Sequence, residues 1–158
     1  GLTLATFYAD CVPLFFVDPV HKAIGLSHSG WKGTVGKIGK VTVEKMTEQY
    51  GTDPKDVLAA IGPSICQSCY EVSEDVIVQF REAFKEEFWT DLFYAKENGK
   101  YQLNLWRANE LIFEEAGILK ENYSTTNICT CCNPGYLFSH RASHGKRGNL
   151  GAFLQIKE

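Results

Sequence analysis

Short apolar runs alternate along the chain with longer segments in which apolar residues recur every three or four positions. The short runs have the length of buried β-strands, and the longer segments have the period of amphipathic helices. Strands are predicted at Leu2–Tyr8, Pro13–Val17, Ala23–Ser27, Val57–Ile61, Thr125–Cys129 and Leu150–Ile156. Helices are predicted at residues 34–50, 73–88 and 104–117. The alternation indicates a mixed α/β fold in which helices and strands share one core.

Local signals at the ends of the predicted helices support this assignment. Ser73 and Asn104 are good N-cap residues, because their short side chains can accept hydrogen bonds from the first turn. Gly51 follows the first predicted helix and favours its termination there. Gly36 and Gly39 lie inside that helix, where they either weaken it or mark close packing.

Composition and charge narrow the class of protein. The chain has 158 residues, of which 44% are hydrophobic and 22% charged, as expected for a single globular domain over residues 1–158. The net charge of −3 and the scattered Lys and Arg argue against nucleic acid as a partner. No apolar run approaches the roughly 18 residues of a membrane span. Because Gly1 leads directly into a strand-like run, we expect a further N-terminal segment upstream.

The six cysteines are predicted to be reduced thiols of a cytoplasmic protein, since a core of this size needs no disulfides. Cys66 and Cys69 form a C-x-x-C pair, and Cys129, Cys131 and Cys132 form a C-x-C-C group. A zinc ribbon would combine the two groups, but the second spacing and a separation of about 60 residues argue against it. We therefore predict that Cys66 and Cys69 form neither a disulfide nor a metal site. A redox role for the pair lacks the helix start that such motifs use.

Two residues near the predicted strand ends carry side chains suited to metal binding. Cys11 lies between the first two strands, and His28 follows the third on a glycine-containing turn before a helix. A thiolate and an imidazole are good zinc ligands. The same two residue types also serve as a nucleophile and its base. A buried structural cysteine and a hydrogen-bonded histidine are the simpler readings, so the chemistry stays open on spacing alone.

A polar segment near the C-terminus, residues 137–149, could bind an anion. Arg141 is its candidate residue, because a guanidinium can hold a phosphate or carboxylate through two hydrogen bonds. A solvated basic loop is the alternative.

A series of sequence blocks in a fixed order resembles one known family. They read A-D-C-x-P, H-x-G-W-x-G, I-G-P-x-I-x-x-x-x-Y-E-V and L-x-L-W-x-A-N, followed by C-T and F-S-H-R, and they extend from Ala9 to Asn149. This arrangement resembles the YfiH/YlmD family, once described as laccase-like multicopper polyphenol oxidases. Its members are now described as zinc-containing purine nucleoside phosphorylases that also deaminate adenosine.

The resemblance implies a site as well as a fold. In the family a zinc ion is held by the cysteine of A-D-C, the histidine of H-x-G-W and a further upstream histidine, so Cys11 and His28 match two of three ligands. The third has no counterpart here, which suggests that the chain is the C-terminal portion of a YfiH-like domain. Ala142 and Asn149 depart from basic residues common in the family. The implied fold has mixed β-sheets layered with helices, as in a bacterial deamidating toxin.

The implied reactions are phosphorolysis of adenosine, inosine or methylthioadenosine, and deamination of adenosine. The expected partners are thus a purine nucleoside and phosphate, with Zn²⁺ as cofactor. Arg141 is the candidate for phosphate, and Asp10 for an acid–base or a ligand-positioning role. A homo-oligomer is left open, because a missing segment would expose apolar surface.

Three rival functions belong to other classes. A copper-dependent phenol oxidase is disfavoured because four histidines and the single Met46 cannot fill several copper sites. A thiol hydrolase would use Cys11 and His28 directly, without metal. A non-catalytic metal-binding or redox module would rest on the remaining cysteines.

Overall fold

The computed structural model describes residues 1–157 and is a mixed α/β fold, as predicted. The strands are β1 (Thr3–Tyr8), β2 (Val12–Asp18), β3 (Ala23–Ser29), β4 (Leu58–Ile61), β5 (Glu71–Val72), β6 (Phe93–Ala95), β7 (Tyr101–Leu103), β8 (Tyr123–Thr125) and β9 (Leu150–Gln155). The helices are α1 (Trp31–Val35), α2 (Ile38–Tyr50), α3 (Glu74–Ala83), α4 (Trp89–Leu92) and α5 (Leu105–Glu115).

The strands form three sheets. The largest has the order β3-β2-β4-β8, in which only the β4–β8 pair is parallel among the described residues. Strands β1 and β9 form an antiparallel pair that joins the two ends of the chain, and β5, β7 and β6 form a small antiparallel sheet. Strand β3 lies at the edge of the largest sheet, so its end is accessible to a site.

Helices α2 and α5 pack against the largest sheet and against each other. They meet at Gly39, where an added Cβ would lie 3.3 Å from both Leu14 and Ile112. Phe16 of β2 and Phe113 of α5 are fully buried, and their rings meet edge to face at 5.4 Å. The glycine in α2 therefore marks close packing, the second of the two readings that the sequence allowed.

The helix predicted at residues 34–50 is in fact two helices. Lys37 adopts a left-handed conformation with φ of 56° and separates α1 from α2. Gly36 is the C-cap residue of α1 and directly precedes Lys37. The break lets α1 start immediately after β3, beside the strand end that carries His28.

The other helix boundaries agree in part with prediction. Asn104 caps α5 by accepting a hydrogen bond from the Arg107 N–H at 3.0 Å. The segment predicted as one helix over 73–88 ends its α-helix at Ala83. Ser73 holds the N-cap position, but its hydroxyl bonds the Asp75 carboxylate and not a backbone N–H. The β6–β7 hairpin is an element that the periodicity did not predict.

The exposed surface includes one apolar face on the β1–β9 pair. Phe7 and Phe153 are each 59% exposed, and their rings are 6.0 Å apart. None of the helices within residues 1–157 combines the length and apolar character needed to cross a membrane.

The packing predicts unequal effects of aromatic truncation. Phe113→Ala removes a fully buried ring and should lower the free energy of unfolding by about 3–5 kcal/mol. Tyr136→Ala removes a ring that is 92% exposed and should change it by less than about 0.5 kcal/mol. Urea denaturation followed by circular dichroism measures both. Equal losses in the two variants would contradict the described core.

Candidate active site

A cavity of about 240 Å³ opens where the ends of β2 and β3 meet α1 and α5. Its walls are mostly apolar, and they include the candidate ligand Cys11 and its neighbour Asp10. The lining residues are Asp10, Cys11, Gly30, Trp31, Lys32, Ile65, Tyr70 and Leu105. Four of the sequence blocks thus contribute to one cavity, although they are far apart along the chain.

The pairing of β2 with β3 puts Cys11 and His28 on one side of the sheet. Pro13 pairs with His28 and Val12 with Ser29, so Cys11 lies opposite Gly30. A Cβ added to Gly30 would be only 3.1 Å from the Cys11 sulfur. Because side chains alternate along a strand, His28 and position 30 share a face, and Ser29 points the other way towards α5. The glycine leaves room for the Cys11 sulfur beside the face that carries His28.

His28 differs from its predicted setting. It lies within β3 and not on the turn that follows, and its side chain is exposed. Its ring meets the buried Tyr8 edge to face, with centroids 6.5 Å apart. Tyr8, at the end of β1, therefore supports one side of the imidazole.

The Cys11 thiol lies in an apolar setting. Burial, with a smaller contribution from the Asp10 carboxylate, raises the pKa of this thiol. It is therefore protonated at neutral pH in the absence of a cation. A bound metal ion would displace this proton, as thiol ligands require.

Asp10 connects three segments around the cavity. It is buried, and its backbone adopts a left-handed conformation with φ of 80°. One carboxylate oxygen accepts a hydrogen bond from the Thr130 hydroxyl at 2.6 Å, and the other accepts one from the Arg141 N–H at 2.7 Å. Its carbonyl accepts a third from the Ile65 N–H at 3.0 Å. Each carboxylate oxygen thus has one hydrogen-bond partner, and these contacts hold the segments of Thr130 and Arg141 in place beside the cavity.

Arg141 lies against the cavity wall. Its guanidinium donates a hydrogen bond to the Glu71 carbonyl at 3.0 Å and lies over the Tyr70 ring at 5.5 Å. Burial, together with the negative charges of Cys11 and Asp10, raises the pKa of Tyr70 to about 12, and Arg141 opposes this shift. Part of the guanidinium is thus committed to backbone, and the rest is available to an anion.

Sequence reasoning missed a buried polar network behind the site. Ser29 donates a hydrogen bond to the Asn109 side-chain oxygen at 2.9 Å, and its hydroxyl lies 3.0 Å from that of Thr34. All three residues are fully buried. The network links the β3–α1 junction to α5. A buried asparagine on the apolar face of a predicted helix was the available signal.

None of the four histidines, including His28, is among the residues that line the cavity. The His21 imidazole bonds the Asp18 carboxylate at 2.9 Å, at the end of β2 opposite to Cys11. His140 and His144 are exposed in the segment after Ser139. No cavity-lining position in residues 1–157 is a histidine.

The structure contains a cluster of four cysteine side chains that the sequence analysis did not predict. Cys66, Cys69, Cys129 and Cys132 lie together, with all four sulfurs within 4.8 Å of one another. The sequence spacing argued against combining the two cysteine groups, whereas the structure brings them into one cluster. The prediction that Cys66 and Cys69 form no disulfide agrees with the structure.

Residues 1–157 match the family model described as multi-copper polyphenol oxidoreductase laccase. The chain belongs to this family, which includes the YfiH and YlmD proteins. It is 42% identical over 157 residues to purine nucleoside phosphorylase YlmD of Bacillus subtilis, covering 98% of this chain and 55% of that protein. It is 37% identical over 144 residues to adenosine deaminase RL5 of an unknown prokaryotic organism, covering 89% of this chain and 53% of that protein.

Solved structures share the fold. The YfiH protein of Bacillus licheniformis superposes with a TM-score of 0.93 at 36% identity, over 99% of this chain and 58% of that one. YlmD of Geobacillus stearothermophilus gives the same TM-score at 35% identity, with the same coverage. The family recognised from the sequence blocks is confirmed. The chain spans about half the length of the curated relatives that it matches.

The contacts of Asp10 predict its effect on stability. Asp10→Ala would leave the Thr130 hydroxyl and the Arg141 N–H unpaired and should lower the free energy of unfolding by about 2–4 kcal/mol. Asp10→Asn should lose less, because its amide can accept from Arg141 and donate to Thr130. Asp91→Ala, at a 57% exposed carboxylate, is the control and should stay within about 0.5 kcal/mol. Urea denaturation gives the values, and hydrogen exchange at Arg141 should be faster in the alanine variant.

Proposed function

We propose that the chain is the larger part of a zinc-dependent purine nucleoside phosphorylase that also deaminates adenosine. The observation that carries the proposal is the pairing of β2 with β3, which sets Cys11 beside Gly30 and on the face of His28, next to a largely apolar cavity. The names of the relatives agree with this reading, since they include purine nucleoside phosphorylases and an adenosine deaminase.

The donor set fits zinc. A thiol and an imidazole on one face of a sheet are ligands that zinc prefers, and Gly30 leaves the sulfur uncrowded. Zinc bound by Cys11 and His28 would supply a Lewis acid that makes water nucleophilic near neutral pH, as deamination needs. A catalytic zinc usually has three protein ligands. We assign the third to the part of the protein that precedes Gly1, as the family resemblance implies.

The cavity provides surfaces for a purine. Trp31 and Tyr70 offer aromatic faces, and Ile65 and Leu105 are apolar. Its volume of about 240 Å³ is below the roughly 300–1,000 Å³ of ligand pockets, so a further wall from the rest of the protein would complete it. The base would lie against this apolar surface while its reacting atoms face Cys11 and His28.

Phosphorolysis also requires an anion site. The transition state carries positive charge on the ribose, and phosphate must be held close to it. Lys32 lines the cavity, and Arg141 lies behind Tyr70 with part of its guanidinium uncommitted. We assign phosphate to these two cations. Asp10 would act as a positioning residue, since its carboxylate orients the Arg141 backbone.

The copper oxidase reading is weakened by the placement of its ligands. The Met46 sulfur lies 2.9 Å from the Cβ position of Gly25, on the α2 side of the sheet, and His21 is bonded to Asp18 at the far end of β2. Neither can complete a site with Cys11. A metal-free thiol hydrolase remains the second candidate, since it would use Cys11 and His28 themselves. The unpaired cysteines suit a cytoplasmic protein, which is part of the proposal.

Removal of the exposed imidazole tests the zinc assignment. In the protein extended upstream to full length, His28→Ala should reduce both phosphorolysis and deamination at least about 100-fold and lower zinc content by one equivalent. Its unfolding midpoint should hardly change, because an exposed side chain leaves no cavity. His21→Ala is the control and should keep both activities. Full activity of His28→Ala after metal loss would contradict a zinc-dependent mechanism.

The activity of residues 1–158 alone tests whether this chain supplies two or three of the zinc ligands. Residues 1–158 should show adenosine turnover at least about 100-fold below that of the extended protein, because two ligands hold an exchangeable zinc in poorly defined geometry. Purine release and ammonia release measure the two reactions. Equal turnover in both proteins would mean that the third ligand lies in this chain, and His140→Ala would then be the first variant to examine.

A further inference from the structure

Four cysteine sulfurs form a compact cluster away from Cys11. The Cys69 sulfur lies 3.4 Å from that of Cys132, the Cys66 sulfur lies 4.0 Å from it, and all four lie within 4.8 Å of one another. In a tetrahedral zinc site with Zn–S distances of about 2.3 Å, the sulfurs are roughly 3.8 Å apart. The cluster therefore has the size of a tetrahedral tetrathiolate site.

The spacing of the cysteines agrees with this geometry. Cys66 and Cys69 are in C-x-x-C spacing, and so are Cys129 and Cys132, once Cys131 is set aside as an intervening residue. Two such pairs are the common ligand arrangement of structural zinc sites. The C-x-C-C appearance of the second group concealed this pair in the sequence.

Backbone hydrogen bonds hold the two pairs in register. Ser64 forms a parallel bridge with Cys129, through its N–H to the Ile128 carbonyl at 3.1 Å and its carbonyl to the Thr130 N–H at 3.2 Å. The Cys129 sulfur accepts hydrogen bonds from the N–H groups of Cys66 and Cys132, at 3.3 and 3.4 Å. Bonds of this kind stabilise a thiolate, which is the form that a metal ligand takes.

Other readings of the cluster fit less well. A disulfide needs a sulfur–sulfur distance of about 2.05 Å, and all six cysteines are free. A redox pair would need only two of the four thiols and would not bring the other two to the same point. Four soft donors with no oxygen or nitrogen ligand exclude calcium and magnesium.

We propose that Cys66, Cys69, Cys129 and Cys132 bind a structural Zn²⁺ ion, separate from the site at Cys11 and His28. Four protein ligands fill the coordination sphere, so the ion has no open position for substrate. Its role is structural. It joins the segment that leads to Tyr70 with the segment that leads from Thr130 to Arg141.

Both joined segments reach the cavity. Tyr70 lines it directly, one residue after Cys69, and the Ile65 N–H bonds the Asp10 carbonyl just before Cys66. Thr130, one residue after Cys129, donates to the Asp10 carboxylate. Loss of the ion would loosen both sides of Asp10 together, and the Tyr70 wall with them.

Metal analysis with the active-site ligands removed tests the proposal independently of the proposed function. The double variant Cys11→Ala/His28→Ala, purified in reducing buffer without chelator, should retain one zinc equivalent. Adding Cys69→Ser or Cys132→Ser should abolish it, whereas adding Cys131→Ser, the matched control in the same segment, should leave it bound. Cobalt substitution of the double variant should give the sulfur-to-metal charge-transfer bands of a tetrathiolate site.

Thiol accessibility gives a second readout, which uses the double variant alone and none of the cysteine-to-serine variants. The double variant has five cysteines, and with zinc bound at most one of them, the non-ligand Cys131, should react rapidly with a disulfide reagent under native conditions. Chelation should make all five reactive. A zinc-free protein after incubation with zinc, rapid reaction of all five thiols in its presence, a bound iron ion or an intramolecular disulfide would each overturn the assignment.

Discussion

The arrangement of the site depends on the hydrogen bonds that the buried carboxylate of Asp10 accepts. It lies in a left-handed backbone conformation between β1 and β2, and it accepts hydrogen bonds from residues more than a hundred positions away in sequence. A buried charge is costly unless it is fully hydrogen-bonded, so the segment that supplies Thr130 and Arg141 is held in place by that requirement. The left-handed turn also sends the chain into β2 with Cys11 opposite Gly30. Asp10 thereby fixes the positions of both Cys11, the candidate metal ligand, and Arg141, the candidate anion-binding residue.

The elements predicted from the sequence are those in which local signals and packing agree. Strands β1 to β4 and β9, the Asn104 cap and the end of α2 at Gly51 follow from apolar runs and capping chemistry. The break at Lys37 did not follow, because both helices keep the same apolar period and only backbone conformation separates them. The β6–β7 hairpin has strands of three residues, too short for any period to be recognised. Tertiary contacts decide both of these features.

The candidate site likewise contains residues that the sequence could predict and residues that it could not. Cys11, His28 and Arg141 could be selected because their residue types suit metal and anion chemistry and because their motifs resemble a family. The hydrogen bonds of Ser29, Thr34 and Asn109 could not, since they join β3 to α5 across a long sequence separation. The four-cysteine cluster was misread for a related reason. Sequence spacing identified one pair, but only the Ser64–Cys129 bridge brings the second pair to it.

The two sulfur-containing sites differ in ways that suit different tasks. Cys11 lies beside a cavity, on the face of an exposed histidine and next to a glycine, so a metal there would keep a position open to substrate. The cluster around Cys129 has four thiols, which are enough to fill a tetrahedral coordination sphere, so a metal there would be closed to substrate. The four cysteines lie on the two segments that also supply Tyr70 and Thr130 to the site. Strand β5, which follows Tyr70, has only two residues, so its ladder with β7 is short. A metal crosslink between the two segments would restrict both at once, because the Asp10 contacts are made by residues adjacent to its ligands. The zinc–thiolate bonds, and not the small β5-β7-β6 sheet, would then fix the position of Tyr70 at the cavity.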